Sequence, residues 1–201
     1  MNKNLVLGVG VYIKGKYKST ESGRTTKAYG AWQGMLRRCY DPKWLADHPT
    51  YIGCKVCDEW LEFQVFAEWY DANFPKGGDE YDLDKDLKVI GNNVYSPDNC
   101  LFVSRDVNKF TISRTALRGD CLIGVHWDRS CDRYIAQCCN PLTKKQEKVG
   151  YFTDELEAHL AWRKRKSELA YELAMTQSNP EVRDALLRWK DALDNNEIHT
   201  V

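Results

Sequence analysis

The sequence lacks an apolar run long enough to span a membrane. Its longest early run, LVLGVGVYI at 5–13, is short and interrupted by glycine, whereas a spanning helix needs about 20 apolar residues. The cleavage context of a signal peptide is missing as well. Apolar residues make up 43% of the chain and aromatic residues 12%, which excludes a disordered chain. We therefore expect a folded, soluble protein of the cytoplasm.

The eight cysteines lack the spacing of a small secreted disulfide scaffold. Cys54 and Cys57 form one CxxC pair, and no second CxxC pair follows it. Together with Cys39 and Cys100 they would supply the four thiolate ligands of a structural Zn²⁺ site. The alternative is that these cysteines are small buried side chains without a metal.

The charges are segregated although the net charge is zero. Residues 1–44 carry nine basic against two acidic side chains, and residues 45–99 carry four against twelve. Residues 100–166 return to a basic excess, thirteen against eight, and residues 167–201 to an acidic one, three against seven. Two basic blocks around an acidic one suit a protein that binds phosphate with its ends and a cation in its middle.

The first half of the chain contains two stretches of helical periodicity, at 26–40 and 57–74. In the second stretch Trp60, Phe63, Phe66 and Trp69 recur every three positions. We expect these aromatic side chains in the core rather than stacked on nucleic-acid bases.

A hairpin and a short helix are predicted next. Strands at 83–90 and 94–103 would be joined by a Gly-Asn-Asn turn at 91–93. The helix would follow Ser104, which is a suitable capping residue. The local order is therefore strand, turn, strand, helix.

Two carboxylates, Asp84 and Asp86, open this hairpin, and Asn108 lies on the helix after it. Carboxylate and amide oxygens are the ligands that Mg²⁺ or Mn²⁺ prefer. A cation held there would offset charge on a phosphate and stabilise a leaving oxygen. The alternative is a solvated cluster of ion pairs beside ordinary Asn-rich turns.

Several motifs between residues 28 and 112 resemble the HNH, or His-Me finger, nucleases of phage type. They are RCY at 38–40, VCDEW at 56–60, F-x-x-F-x-x-W at 63–69, LDKD at 83–86, YSPDNC at 95–100 and NKF at 108–110. The resemblance implies a ββα-metal domain that hydrolyses phosphodiester bonds. It also implies that Asp84 and Asn108 bind Mg²⁺ or Mn²⁺ and that Asn99 braces the finger.

The chain departs from that family at the general base, because Lys85 stands where a histidine should follow the metal-binding carboxylate. The four histidines, His48, His126, His159 and His199, all lie outside the finger. A lysine is protonated near neutral pH and is a poor base unless burial lowers its pKa. Lys85 would then neutralise the phosphate, with Asp86 or a metal-bound hydroxide as the base. The rival interpretation is that cutting has been lost and a DNA-binding shell remains.

From Cys121 the pattern changes to three strand-like runs, GVHWD, RYIAQCC and KKQEKVGYF, followed by a helix capped at Thr153. The run RKRK at 163–166 on this helix is interpreted as a solvated face, with pairs such as Glu168 with Lys164.

A last helix begins after Asn179, with Pro180 at its first position. Four apolar residues repeat on it at heptad-like spacing: Val182, Leu186, Trp189 and Leu193. The repeat favours either a homodimer face or a helix packed on its own domain.

The stretch 123–170 resembles an AP2 domain, a small DNA reader of three strands and one helix. The matching positions are Gly124-Val125, Tyr134 with Ala136, Gly150 with Phe152, Glu157-Ala158 and Ala161-Trp162. The resemblance implies that the sheet enters the major groove of double-stranded DNA. The contacts it implies are those of the outward residues His126, Arg129, Arg133, Gln137 and Lys148.

Two positions of this reader depart from the family. Asp128 and Cys139 stand where the family tends to use arginines, which leaves phosphate binding better supported than base reading. Trp127 is interpreted as a packing residue of the sheet, with a contact to sugar as the alternative.

These patterns predict an α+β chain with a ββα-metal (His-Me finger)-like domain, then an AP2-like three-stranded antiparallel sheet with a helix, and a C-terminal helix. The predicted boundaries are 1–27 for a basic N-terminal arm, 28–113 for the HNH-like domain, 114–120 for a linker, 121–176 for the AP2-like domain and 177–201 for the C-terminal helix.

We expect a phage-type endonuclease that binds double-stranded DNA and, with Mg²⁺ or Mn²⁺, nicks or cuts it, as free-standing homing endonucleases do. In a phage-encoded protein the compartment would be the host-cell cytoplasm. One alternative is a non-catalytic DNA-binding regulator with a degenerate finger. Another is a protein-interaction module that uses the acidic middle segment and the last helix. A steep loss of DNA affinity with salt would favour either DNA-binding hypothesis over the third.

Overall fold

The structure is a computed structural model that describes residues 5–76, 81–111 and 120–197. The fold is mixed α+β with small sheets. The chain divides into two compact units, Met1–Phe102 and Val103–Val201. Each unit has helices and strands of its own, and each is described by itself below.

The part of the first unit that the structure describes contains three α-helices and five short strands before the boundary with the second. They are β1 (Thr20–Glu21), β2 (Arg24–Thr25), α1 (Lys27–Tyr40), α2 (Pro42–Asp47), β3 (Lys55–Val56), α3 (Phe63–Asn73), β4 (Tyr81–Asp84) and β5 (Val94–Tyr95). The unit boundary falls within β6 (Leu101–Ser104), which pairs with β4.

The helix predicted at 26–40 is confirmed as α1, and Thr26 caps it by accepting a hydrogen bond from the Tyr29 N–H at 3.4 Å. The helix predicted at 57–74 is split into a 3₁₀ turn, Asp58–Leu61, and α3. Val11 causes the break, since its N–H donates to the Leu61 carbonyl at 2.7 Å and its carbonyl accepts from the Phe63 N–H at 3.0 Å.

Helices α1 and α3 pack against each other around a core of aromatic side chains. Trp60, Phe63 and Phe66 have no exposed surface, and the partly buried Trp69 packs against Phe102 with ring centres 5.2 Å apart. The expectation that these aromatic residues form core is confirmed. The Trp32 indole N–H also donates to the Trp60 carbonyl at 2.7 Å, so its polar atom is satisfied inside the core.

The strand prediction for 83–90 is wrong beyond Asp84. A carboxylate oxygen of Asp84 accepts hydrogen bonds from the N–H groups of Asp86 and Leu87, at 3.0 and 2.7 Å, and this turns the chain away from the strand direction.

The second strand, predicted at 94–103, is interrupted. The Ser96 carbonyl accepts from the N–H groups of Asn99 and Cys100 and closes a turn between β5 and β6. Strand β5 pairs in parallel with β3 rather than with β4. The Gly-Asn-Asn segment therefore does not close a hairpin, and that prediction is wrong.

The second unit begins in β6 and continues with α4 (Arg105–Thr111), β7 (Val125–Asp128), β8 (Arg133–Cys139), β9 (Gln146–Phe152), α5 (Glu155–Met175) and α6 (Pro180–Asp194). The helix predicted after Ser104 is confirmed as α4, with the Ser104 hydroxyl accepting from the Val107 N–H at 3.3 Å. The linker predicted at 114–120 lies, apart from Asp120, outside the described residues.

Strands β7, β8 and β9 form one antiparallel sheet in that order. The three strand-like runs of the sequence are thus confirmed, as is the helix after them. The predicted cap of α5 is wrong by one residue, because Asp154 rather than Thr153 accepts the Glu157 N–H, at 2.9 Å. Asn179 caps α6 as predicted.

The apolar repeat of α6 is buried within the second unit. Val182, Leu186, Trp189 and Leu193 are at most 8% exposed, and α6 packs along α5. A homodimer through the C-terminal helix stays a prediction, and it would have to use another face of α6.

Among the helices that the structure describes, none combines the length and the apolar character needed to cross a bilayer.

Candidate nucleic-acid interface and candidate metal site

The β7–β8–β9 sheet has one face against α5 and one facing outward. Helix α5 packs on β8 and β9, where Ala136 and Cys138 are buried and Glu147 bonds to Arg165 of the helix. Successive residues of a strand point to opposite faces. His126, Arg133 and Gln137 therefore lie on the outward face.

A register shift brings Lys148 onto the same face. Ala136 pairs with Gly150 but Gln137 pairs with Lys148, so that Val149 is an extra residue in β9. A bulge of this kind reverses the alternation beyond it. Lys148 and Tyr151, three positions apart, consequently share the outward face.

The outward face is polar and largely exposed. Arg133, Lys148 and Tyr151 are exposed and Gln137 is partly exposed. The Lys148 ammonium donates to the Tyr151 hydroxyl and lies 4.5 Å from the centre of its ring. The exception is Ile135, which is 2% exposed; it is the central residue of a cross-strand row, with His126 of β7 on one side and Tyr151 of β9 on the other.

His126 holds an unsatisfied polar atom at this face. Its Nδ1 is buried and has no hydrogen-bond partner among the residues that the structure describes. A buried polar atom without a partner costs about 1–3 kcal/mol.

The turn between β7 and β8 carries the fifth predicted contact, Arg129, which is exposed. Asp128 shapes this turn by accepting from the Ser130 hydroxyl at 2.6 Å and from the Ser130 N–H at 2.9 Å. These hydrogen bonds lower the pKa of Asp128, which keeps the side chain ionised. A carboxylate at this edge repels phosphate, as the departure from arginine in the sequence suggests.

Trp127 lies on the face opposite to these residues. Its ring meets that of Tyr134 edge-on, with centres 4.6 Å apart, and the side chain remains 40% exposed. It therefore packs on the sheet at its margin.

Helix α5 is attached to the sheet by an ion-pair network. Arg165 bonds to Glu147 of β9 at 3.0 Å, to Glu172 at 2.9 Å and to Glu168 at 3.2 Å. The predicted pairing of Glu168 with Lys164 is replaced by this pairing with Arg165, one residue further along the helix.

The candidate metal site in the first unit centres on Asp84, at the end of β4. The oxygen Oδ1 accepts both backbone N–H groups described above, and Oδ2 accepts none from the described residues. Burial raises the pKa of Asp84, and those two hydrogen bonds work in the opposite direction. One carboxylate oxygen is thus committed to the fold and the other is available to a ligand.

Lys85 is buried, with 7% of its surface exposed, and its ammonium donates to Asp86 Oδ1 and to the Asn92 carbonyl, the latter at 3.2 Å. Burial alone would lower the pKa of Lys85, but the hydrogen bond and the charge of Asp86 outweigh it, and the pKa is raised. The side chain is therefore protonated near neutral pH, where a lysine is a poor general base.

Asn92 holds this loop together, and the sequence did not single it out. Its side-chain amide donates to the carbonyls of Lys85 and Val94, both at 2.8 Å, and its Oδ1 accepts from the Val94 N–H at 3.2 Å. Asn99 donates to the same Oδ1 at 3.1 Å. Asn99 is thus attached to the loop through Asn92.

Asn108, the other metal ligand that the resemblance implies, lies on α4 in the second unit and is partly exposed.

The four cysteines considered as zinc ligands lie in the first unit as free thiols. Cys39 and Cys100 are buried, and burial raises the pKa of each to about 12. Across residues 5–76, 81–111 and 120–197, no three His, Cys, Asp or Glu side chains form a group that could hold a metal ion. Burial as small apolar side chains describes Cys39 and Cys100, and a zinc site stays a prediction.

The basic N-terminal segment contains a short exposed hairpin, β1–β2. From residue 5 onward, where the structure describes this segment, its basic side chains are exposed: Lys14, Lys16, Lys18, Arg24 and Lys27. Gln64 of α3 holds the segment before the hairpin, since its amide donates to the carbonyls of Ile13 and Tyr17, both at 2.9 Å, and its oxygen accepts from the Tyr17 N–H at 3.0 Å.

Sequence reasoning missed Tyr151 on the outward face. In a regular strand Tyr151 and Lys148 would face opposite ways, and only the bulge at Val149 unites them. The neighbouring Gly150 is the one sequence signal for such an irregularity.

No protein-family model, no curated protein and no solved structure matches the chain.

Proposed function

We propose that this protein binds double-stranded DNA through the outward face of the β7–β8–β9 sheet. The observation that carries the proposal is the convergence of His126, Arg133, Gln137 and Lys148 on that one face. A short antiparallel sheet fits the major groove. Arginine and glutamine have the donor and acceptor geometry to read guanine and adenine edges there.

Each side chain of the face has a distinct task in this proposal. Arg133 and Lys148, both exposed, neutralise phosphates or contact guanine. Gln137 lies on the central strand beside Lys148, where it is placed to contact a base edge. The aromatic ring of Tyr151 orients the Lys148 ammonium.

Binding is tested by fluorescence anisotropy with labelled double-stranded DNA at several salt concentrations. Removing one phosphate contact should reduce the slope of log K against log salt by about 1. We expect that change in Lys148→Ala and Arg133→Ala. Lys164→Ala is the matched control, because Lys164 is an exposed lysine on α5, on the other side of the sheet.

Two results would overturn the proposal. One is binding of DNA by the two sheet variants with unchanged affinity and salt slope. The other is DNA affinity that does not respond to salt in the wild-type chain, which would favour the protein-interaction hypothesis.

A second candidate function is hydrolysis of the bound DNA with Mg²⁺ or Mn²⁺ at Asp84. The observation that favours it is the uncommitted Oδ2 of Asp84 beside the protonated Lys85. Such an oxygen suits a hard divalent cation, whereas Asp86 is occupied by its ion pair with Lys85. A cation bound there would supply Lewis acidity toward a phosphate oxygen.

Because Lys85 is protonated, any base in this reaction has to come from elsewhere. The loop residues have other tasks: Asp84 provides an oxygen ligand, Lys85 contributes positive charge and Asn92 fixes the turn. The sequence hypothesis that Lys85 neutralises charge on the phosphate agrees with these tasks, and Asp86, one of the two bases that hypothesis considers, is paired with Lys85.

Asp84→Asn separates the structural role of this residue from metal binding. An asparagine oxygen can still accept the N–H groups of Asp86 and Leu87, so the turn survives while the negative charge is lost. We expect metal-dependent nicking of supercoiled plasmid by the wild type and none by Asp84→Asn, at an unchanged melting temperature. Cleavage by Asp84→Asn at the wild-type rate would contradict a metal ligand at Asp84. DNA binding without cleavage in the wild type would favour the non-catalytic regulator.

A further inference from the structure

The second unit contains a cavity of about 250 Å³ that neither proposed function uses. Phe110 and Pro141 supply apolar walls, and the charged residues lining it are Asp106, Lys109, Lys144 and Lys166. The lining therefore carries three potential cations and one anion.

We propose that this cavity binds a small molecule bearing a free phosphate group, either inorganic phosphate or a phosphate monoester. The geometry that carries the proposal is the convergence of three lysines on one concave site, with Lys166 at its inner wall.

Lys166 is the central residue of the argument. Its ammonium donates to the Phe110 carbonyl at 2.7 Å and lies 3.5 Å from the centre of the Phe110 ring. No carboxylate among the described residues pairs with it. An ammonium has three N–H donors, and the Phe110 carbonyl takes one of them.

The charge of Lys166 is poorly compensated where it lies. Burial lowers the pKa of Lys166 to about 8, and the nearby thiols of Cys138 and Cys139 offset this only in part. A charge held this way is costly unless an opposite charge approaches it. An anion in the cavity would supply that charge.

The remaining lysines decide the class of anion. Lys144 pairs with Asp106 at 3.1 Å, which leaves a formal excess of two positive charges along the lining. A phosphate group with a free second ionisation carries about −1.5 to −2 at neutral pH. A phosphate monoester or inorganic phosphate therefore matches the lining better than a singly charged carboxylate, and lysines bind phosphate as point charges.

Isothermal titration calorimetry with the full-length protein tests the site. The ligands are inorganic phosphate, deoxyadenosine 5′-monophosphate, deoxyadenosine and acetate. We expect saturable binding of one or both phosphate-bearing ligands and none of deoxyadenosine or acetate. The relative affinity of the first two tells whether the natural ligand is free phosphate or a monoester.

Lys166→Met removes the ammonium and keeps an apolar stem of similar length. We expect it to weaken phosphate binding at least tenfold, and Lys144→Met to weaken it by a smaller factor. Lys190→Met is the matched control, since Lys190 pairs with Asp191 and Asp194 on α6 and does not line the cavity. It should bind phosphate as the wild type does.

The proposal is overturned by absence of saturable phosphate binding in the millimolar range. It is also overturned if deoxyadenosine binds as well as its monophosphate, or if Lys166→Met binds phosphate with wild-type affinity. Should Lys166→Met fail to fold, Lys144→Met decides the question alone, because Lys144 is exposed and its replacement leaves the core intact.

Discussion

Replacing Gly124 by alanine should destabilise the second unit strongly. Gly124 has a φ of +78°, a conformation that L-residues avoid at a cost of about 1–2 kcal/mol. An added Cβ would lie 2.1 Å from Cγ of Trp162, a buried residue of α5 that cannot retreat without disturbing the sheet. Overpacking of this kind costs about 1–3 kcal/mol, so we expect a total loss of about 2–5 kcal/mol.

Gly23→Ala is the matched control for the backbone contribution. Gly23 has nearly the same φ, +75°, but nothing lies within 4 Å of its added Cβ. Only the conformational cost of about 1–2 kcal/mol should appear there. Because a chain of two compact units need not unfold in one step, hydrogen exchange of the amides in each unit is the appropriate measurement. Equal losses in the two variants would refute the argument that Trp162 leaves no room for a side chain.

Three further outcomes follow from the side-chain networks. Asn92→Ala should destabilise the first unit by about 1–3 kcal/mol in urea denaturation, since it removes hydrogen bonds to the partly buried carbonyls of Lys85 and Val94. A neutral result would contradict its role in the loop. The hydrogen bonds from Asn140 and then Arg165 lower the pKa of Glu147 below its usual 4.5, so their contribution to stability is present above pH 4.5 and is lost as the pH falls. Arg165→Met should therefore lose less stability on acidification than the wild type does. An equal loss would count against the pairing of Arg165 with Glu147. The pKa of Lys166 in the folded chain, about 8, is below its usual value of 10.5. Between these two pH values the unfolded chain binds more protons, so the stability of the wild type should rise with pH relative to that of Lys166→Met. Parallel pH profiles of the two melting temperatures would refute this.

The helices and the three-stranded sheet were accessible to sequence reasoning because their periodicity agrees with their packing. Helix α1 buries Trp32, Met35 and Leu36 at helical spacing, and the strand β8 matches its sequence run at both ends. Such agreement between local pattern and burial makes an element predictable.

The region around Asp84 was predicted less well, since side-chain hydrogen bonds rather than hydrophobic alternation decide its path. The apolar residues after Asp84 read as a strand, yet its carboxylate captures two backbone N–H groups and bends the chain. Asn92 then fixes the loop through contacts with residues up to seven positions away. Turn chemistry of this kind competes with strand formation without leaving a periodic signal.

The protonation of Lys85 was also beyond the sequence. The sequence favours a cation there and leaves open a base whose pKa burial has lowered, and the outcome depends on whether an acceptor lies within reach. Asp86 and the Asn92 carbonyl both do, and the cation is the result.

The bulge in β9 makes the outward surface of the sheet dependent on strand register as well as on residue identity. If β9 paired without the bulge, Val149 would stand opposite Gln137, Lys148 would turn to the face beneath α5, and Glu147 would turn outward. Loss of the bulge would thus exchange a cation for an anion on the outward surface, whereas a point mutation changes only one side chain. A shift in the pairing of this strand is therefore a direct route by which related chains could change what the sheet binds.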